Sequence, residues 1–179
     1  MSETWVEDLL SFWFGLEPEQ WWNADPALDA EVAERFHDIW AEQKGNMPAA
    51  FLDAPRHALA GVILFDQVPR NMFRGHADQF RTDALALAIA KAAVDKGLDD
   101  ALAGAERGFL YMPFQHSENL ADQKRSLILF TALGDSYQLR YARMHHDVIE
   151  RFGRFPHRNA ILGRPPRAAE IEAGDVVPW

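Results

Sequence analysis

The chain has 179 residues, a formal net charge of −9 and no cysteine. This length suits a single domain over residues 1–179, read below as all-α, that buries its own core without disulfide or metal. Without thiols there is no disulfide scaffold, thiolate zinc site, iron–sulfur cluster or cysteine nucleophile, which fits a reducing cytoplasm, and the acidity argues against bulk affinity for nucleic acid or anionic membrane.

In chain order, helix signals recur and strand signals do not. The first helix is expected over Glu3–Phe14, with Thr4 and Glu7 as a capping box and Gly15 as the stop. Its three acids and lack of a basic start are unlike a signal peptide. Asp25 followed by Pro26 opens a second helix with the apolar stripe Leu28, Val32, Phe36, Ile39 and Trp40, closed by Gly45. Asp53 precedes a third, roughly Ala54–Val68, which Pro69 is expected to end. Its apolar run Ala58–Phe65 is too short to span a bilayer.

A fourth, alanine-rich helix is expected over Ala77–Lys96, stopped by Gly97. A fifth runs about Ala105–Met112, before Pro113. Asn119 opens a sixth that ends at Gly134. The seventh spans about Ser136–Phe152, with Tyr137, Tyr141, Met144, Val148 and Phe152 as its apolar stripe. A short helix near Arg167–Ala173 follows, inside an irregular Arg/Pro-rich tail over 155–179. The expected architecture is all-α, about seven to eight helices packed as antiparallel hairpins.

Charge is uneven along the chain. Residues 1–50 hold eleven acids against Arg35 and Lys44, the rest balances to zero, and Arg151 to Arg167 carries five arginines and no acid. Three polar motifs stand out between the apolar helices, and they read as one cleft.

The first motif is Phe65-Asp66-Gln67-Val68-Pro69-Arg70-Asn71-Met72-Phe73-Arg74-Gly75. An aspartate at the end of an apolar helix opposes the macrodipole and needs a cationic or donor partner. The second is Tyr111-Met112-Pro113-Phe114-Gln115-His116-Ser117-Glu118-Asn119, followed by Gln123. Histidine is the side chain that exchanges protons near neutral pH, and Glu118 could orient His116. The third is Gly153-Arg154-Phe155-Pro156-His157-Arg158-Asn159-Ala160-Ile161-Leu162-Gly163-Arg164, whose guanidinium forks suit carboxylate or phosphate.

Three readings of these motifs stay open. A binding module would use Asp66, Gln67, Arg70, Asn71, Arg74, Tyr111, Gln123, Arg158, Asn159 and Arg164 around a small anion or a peptide carboxylate. A small enzyme acting on an anionic metabolite would use His116 or His157 as acid or base and Glu118 as orienter, with an arginine clamp. A structural ion-pair network would use the same groups with no ligand. No cofactor fingerprint is present. Glu34-x-x-His37 lacks the second pair that a di-iron helix needs, and His146 with Glu150 lacks the metalloprotease pattern, so no metal is expected. The aromatic residues read as core.

At the three motifs the sequence resembles the bacterial domain-of-unknown-function family numbered 924. The likeness runs from Leu10-Ser11-Phe12-Trp13-Phe14-Gly15 to Gly163-Arg164. It implies an all-α fold of the tetratricopeptide-like, right-handed superhelical type and implies no activity. The chain departs from the family pattern after Arg164, where Pro165-Pro166-Arg167-Ala168-Ala169-Glu170 replaces a Ser/Thr-led acidic helix start.

Overall fold

The computed structural model describes residues 4–177, and among them every regular element is helical. Helix α1, Thr4–Phe14, buries Val6, Leu9, Leu10 and Trp13 at helical spacing. The expected Glu3 start lies outside the described residues. A short helix that the chain-order reading passes over, α2, Pro18–Trp22, follows at once. Its signal is Glu17-Pro18-Glu19-Gln20: proline at the first turn, and the Gln20 side chain accepting the Glu17 N–H at 2.9 Å. Helix α3, Pro26–Gln43, starts where Asp25 accepts the Ala27 N–H at 2.9 Å and buries Leu28, Val32, Phe36 and Trp40.

The next helix overturns two expectations. It is opened by Ala54 and Pro55, and Asp53 faces His57 instead of capping. It also runs through Pro69. Helix α4, Pro55–Val62, passes into a π-helical turn, Ile63–Gln67, and on into α5, Val68–Met72. Pro69 brings no N–H, so the carbonyl four residues earlier, Phe65, loses its helical partner. The Thr82 hydroxyl supplies one, donating to the Phe65 carbonyl at 2.7 Å, while Trp40 Nε1 donates to Thr82 Oγ1 at 3.2 Å. A side chain from the next helical segment thus repairs the break.

The expected fourth helix divides into a 3₁₀ turn, Ala77–Phe80, and α6, Asp83–Asp95. Ala86, Ala90 and Ala93 are fully buried, which lets α6 pack against α4. Helix α7, Gly104–His116, contains Pro113 instead of ending before it. Helices α8, Leu120–Leu133, and α9, Ser136–Phe152, pack on α7 in sequence. Asn119 and Asp135 cap their starts, and Gly134 and Gly153, both at positive φ, close their ends. The buried face of α9 is Ala142, His145, Ile149 and Phe152, turned from the expected stripe, so Tyr137 is 55% exposed.

The tail is firmly tied. After a 3₁₀ turn, Pro156–Arg158, comes α10, Ala168–Ala173. Glu170 stabilises its start by accepting the Arg167 N–H at 2.7 Å. The Pro-Pro departure noted in the sequence therefore leaves a final helix in place. No helix among the described residues is long and apolar enough to cross a membrane.

Candidate functional site

The π turn presents Asp66 and Gln67 toward the C-terminal end of α7. Asp66 is fully buried, and its carboxylate oxygens lie 2.8 and 3.0 Å from His116 Nδ1. Burial alone would raise this carboxyl, but Arg70, His116 and the Gln67 amide outweigh it and hold it below the usual carboxylate range. Arg70 donates to the Asp66 carbonyl and forks onto Asp83 at 2.8 and 3.0 Å. Asp83 sits at the first residue of α6, a favourable place for an acid.

Arg158 completes the circuit from the third motif. Its guanidinium lies 4.5 Å from the ring centroids of both Phe80 and Phe155, donates to the His116 carbonyl at 3.1 Å and approaches Asp83 at 3.9 Å. Burial, reinforced by Arg70, pulls it below its ordinary value. Asp66, Arg70, Asp83, Arg158 and His116 thus form a closed loop of charge-assisted contacts.

A cleft of about 460 Å³ opens on one side of this loop. Gln67, Arg70, Asn71 and Arg74 from the first motif line it, together with Met112, Gln115 and His116 from the second. The opposite walls are Trp21, Trp22 and Asn23 beyond α1, and Tyr137, Gln138, Tyr141 and His145 on α9. Trp21 Nε1 donates to the Trp13 carbonyl at 2.8 Å, and the Trp22 ring stacks on Phe109 at 5.8 Å, which fixes α2 as a wall. His145 is buried, its ring 6.1 Å from that of His116, with Nδ1 against the Tyr141 carbonyl at 2.8 Å. Burial, with His116 and Arg158 nearby, pushes His145 down to about 3.

The other sequence candidates are placed elsewhere. Glu118, read as the orienter of His116, takes both Arg164 guanidinium nitrogens at 2.7 and 3.0 Å and the Phe155 N–H at 2.7 Å. Burial would raise it, and these donors lower it. Its position in the turn before α8 faces the tail, while Asp66 holds His116. Asn159 donates to Glu170 at 3.0 Å and accepts from Arg164 at 3.0 Å. Tyr111 is buried and donates to Asp99 at 2.6 Å. Gln123 donates to the Gln115 and Ser117 carbonyls at 2.7 Å each, bracing the α7–α8 turn. His157 is half-buried beside the Phe155 ring and is lowered to about 4 by burial and Arg158. Asn71 and Arg74 reach the cleft but also bind Asp29 on α3, at 2.8 Å and at 2.7 and 2.8 Å.

The cleft residues that sequence reading missed lie at α2, which it passed over, and on α9, which it read as core. Tyr141 and His145 sit one turn apart, and Gln138 follows Tyr137, so their polarity on an otherwise apolar stripe was the available signal. A larger, more open hollow of about 790 Å³ adjoins the cleft and shares Trp21, Trp22, Tyr137 and Gln138 with it. It holds none of the three motifs' residues. Among the described residues, one group of potential metal donors, His146, Asp147 and Glu150, lies on α9 outside the cleft lining.

The fold and site define an all-α protein with a polar, aromatic-walled cleft built over a buried aspartate–histidine pair. The chain belongs to the family described as "Bacterial protein of unknown function (DUF924)", whose model matches residues 9–173. It is similar to a solved structure from Agrobacterium tumefaciens, described as a protein of unknown function. That pair has a TM-score of 0.87 and 38% identity, covering 95% of this chain and 96% of that one. None of the curated proteins compared matches the chain.

Proposed function

We propose that the chain acts as one all-α unit over residues 1–179 that binds a small polar molecule in the 460 Å³ cleft, with His116 exchanging a proton with it. The observation that carries this reading is the 2.8 Å contact between His116 Nδ1 and a fully buried carboxylate, on a ring that also lines the cleft. Asp66 sets the tautomer and orientation of the ring, leaving Nε2 for the ligand. The described cleft residues include no serine, threonine or cysteine, and the Tyr137 hydroxyl is paired with that of Tyr141 at 3.4 Å. His116 then works on a ligand proton or on water, as an acid–base enzyme of this size would.

A binding module for a small anion or peptide carboxylate is the second reading. It is favoured by the guanidinium groups of Arg70 and Arg74 in the wall and by the concave surface of a tetratricopeptide-like superhelix, which the family resemblance implies. Against it, both arginines already fork onto Asp83 and Asp29, so an incoming carboxylate must compete with those acids.

The test is a thermal-shift screen of small metabolites, with each hit then left with the protein and followed by NMR. The acid–base reading expects turnover that falls by about 10²- to 10⁴-fold in His116→Gln. Hits that bind and stay unchanged favour the binding module. Binding indifferent to both His116→Gln and Arg70→Met sinks both.

A further inference from the structure

The polar groups of the cleft divide by whether protein already satisfies them. Arg70, Arg74 and Asn71 are committed to Asp83 and Asp29, and His116 Nδ1 to Asp66. Gln115 is different. It is 8% exposed and lines the cleft, yet no described protein group hydrogen-bonds its side-chain amide; only its backbone carbonyl is engaged, by Gln123. The Gln115 amide is therefore left to the cleft, where solvent or a ligand can take up its donor and acceptor.

Gln138, on the facing wall, holds an uncommitted acceptor. Its Oε1 is buried without a partner. Its amide lies against the backbone of α7 at Gly108, where a Cβ would come within 2.7 Å of both amide heteroatoms. Glycine inside a helix weakens it relative to alanine. Here that residue leaves the room in which the Gln138 amide sits.

We propose that Gln115 and Gln138 recognise the neutral carboxamide of a planar ligand, whose ring rests against Trp21, Trp22 and Tyr137. This rests on the cleft being the ligand site. A primary amide offers one donor and one acceptor on the same edge and pairs with another amide through two antiparallel N–H···O bonds. A carboxylate has no donor, so it would face the glutamine oxygen with a lone pair. The aromatic wall supplies flat apolar surface of the kind a ring buries. The unmet demand in the cleft is therefore for a neutral donor–acceptor edge; its positive charges are already matched.

Benzamide and benzoate share a ring and differ in this group alone, and they serve as probes. Each is titrated into the full chain while NMR follows the Gln115 and Gln138 side-chain NH₂ signals and the His116 ring. The expected result is tighter binding of benzamide than of benzoate, shifts at both glutamines, and at least tenfold weaker benzamide binding in Gln115→Met. Gln115→Met should melt no lower than the parent chain, because the amide removed has no protein partner. Gln138→Met provides a second variant with the same expected loss. Benzoate binding as tightly as benzamide, benzamide binding unchanged in both variants, or a markedly lower melting temperature for Gln115→Met overturns the proposal. If benzoate wins while His116 signals move, amide recognition fails and the cleft remains the ligand site. If neither probe moves the His116 signals, both readings fail.

Discussion

Two arginine-rich networks lie in this molecule, and the difference between them separates scaffold from site. In the tail, Arg154 forks onto Glu170 at 2.6 and 2.8 Å, Asn159 joins the same carboxylate, and Arg164 forks onto Glu118. Each cation meets an acid or a carbonyl, and the result is a clasp that holds α10 and the 3₁₀ turn to the helices. Around Asp66 the cations are likewise matched, but one side of the network faces a cleft, and neutral amides there stand without protein partners. Arginine content marks both regions alike. What distinguishes them is whether the network opens on a cleft with uncommitted amides in its lining.

Replacements in each network should separate them, and the largest effect is expected at Asp66. Asp66→Asn removes a buried charge from between Arg70 and His116 and should cost about 3–5 kcal/mol in urea unfolding. The sign with pH follows from its lowered carboxyl: its contribution is present above the ordinary value of 3.8 and is lost as pH falls below that toward the folded value. A loss under about 1 kcal/mol would mean that the pair with His116 is incidental.

Next in size is Glu118→Gln, which leaves Arg164 and the Phe155 N–H short of an acceptor. We expect about 2 kcal/mol of lost stability, with faster amide hydrogen exchange confined to residues 155–173. Altered signals at His116 or Gln115 in that variant would erase the distinction between clasp and cleft.

The third effect is a slope, small near neutral pH and growing in acid. His145 is pushed down to about 3 from 6.5, so its neutral form belongs to the folded state. Stability is fully present above 6.5 and falls as acid protonates the unfolded chain first, by up to about 1.4 kcal/mol per pH unit. His145→Phe should flatten that limb by about one proton; an unchanged slope would place the titrating group elsewhere. His157, also lowered, keeps the remaining slope above zero.

Much of the helical frame is legible from capping chemistry. Asp25-Pro26, Asn119 and the glycines at 134 and 153 set boundaries that the structure keeps, because those signals act within one turn. Pro69 and Pro113 misled for the opposite reason. Proline's local cost is offset at Pro69 by Thr82, a partner thirteen residues away that local sequence does not announce. The site divides similarly. Asp66 needing a cation follows from its place in an apolar helix, and Arg70 is only one turn away. His116 as its second partner, fifty residues on, and Asp83 between two arginines depend on packing. Gln115 stands inside the second motif and Gln138 beside Tyr137, but only coordinates reveal which amides lack protein partners.

An α-helix turns its side chains about 100° per residue. The π turn at Ile63–Gln67 holds one surplus residue, so everything after it is rotated by that step. Deleting a single residue there would restore ordinary helical phase and swing Arg70, Asn71 and Arg74 about 100° around the axis, off the wall they now form. The cleft thus depends on one extra residue within a continuous helix, which aims one strip of its surface at the cavity.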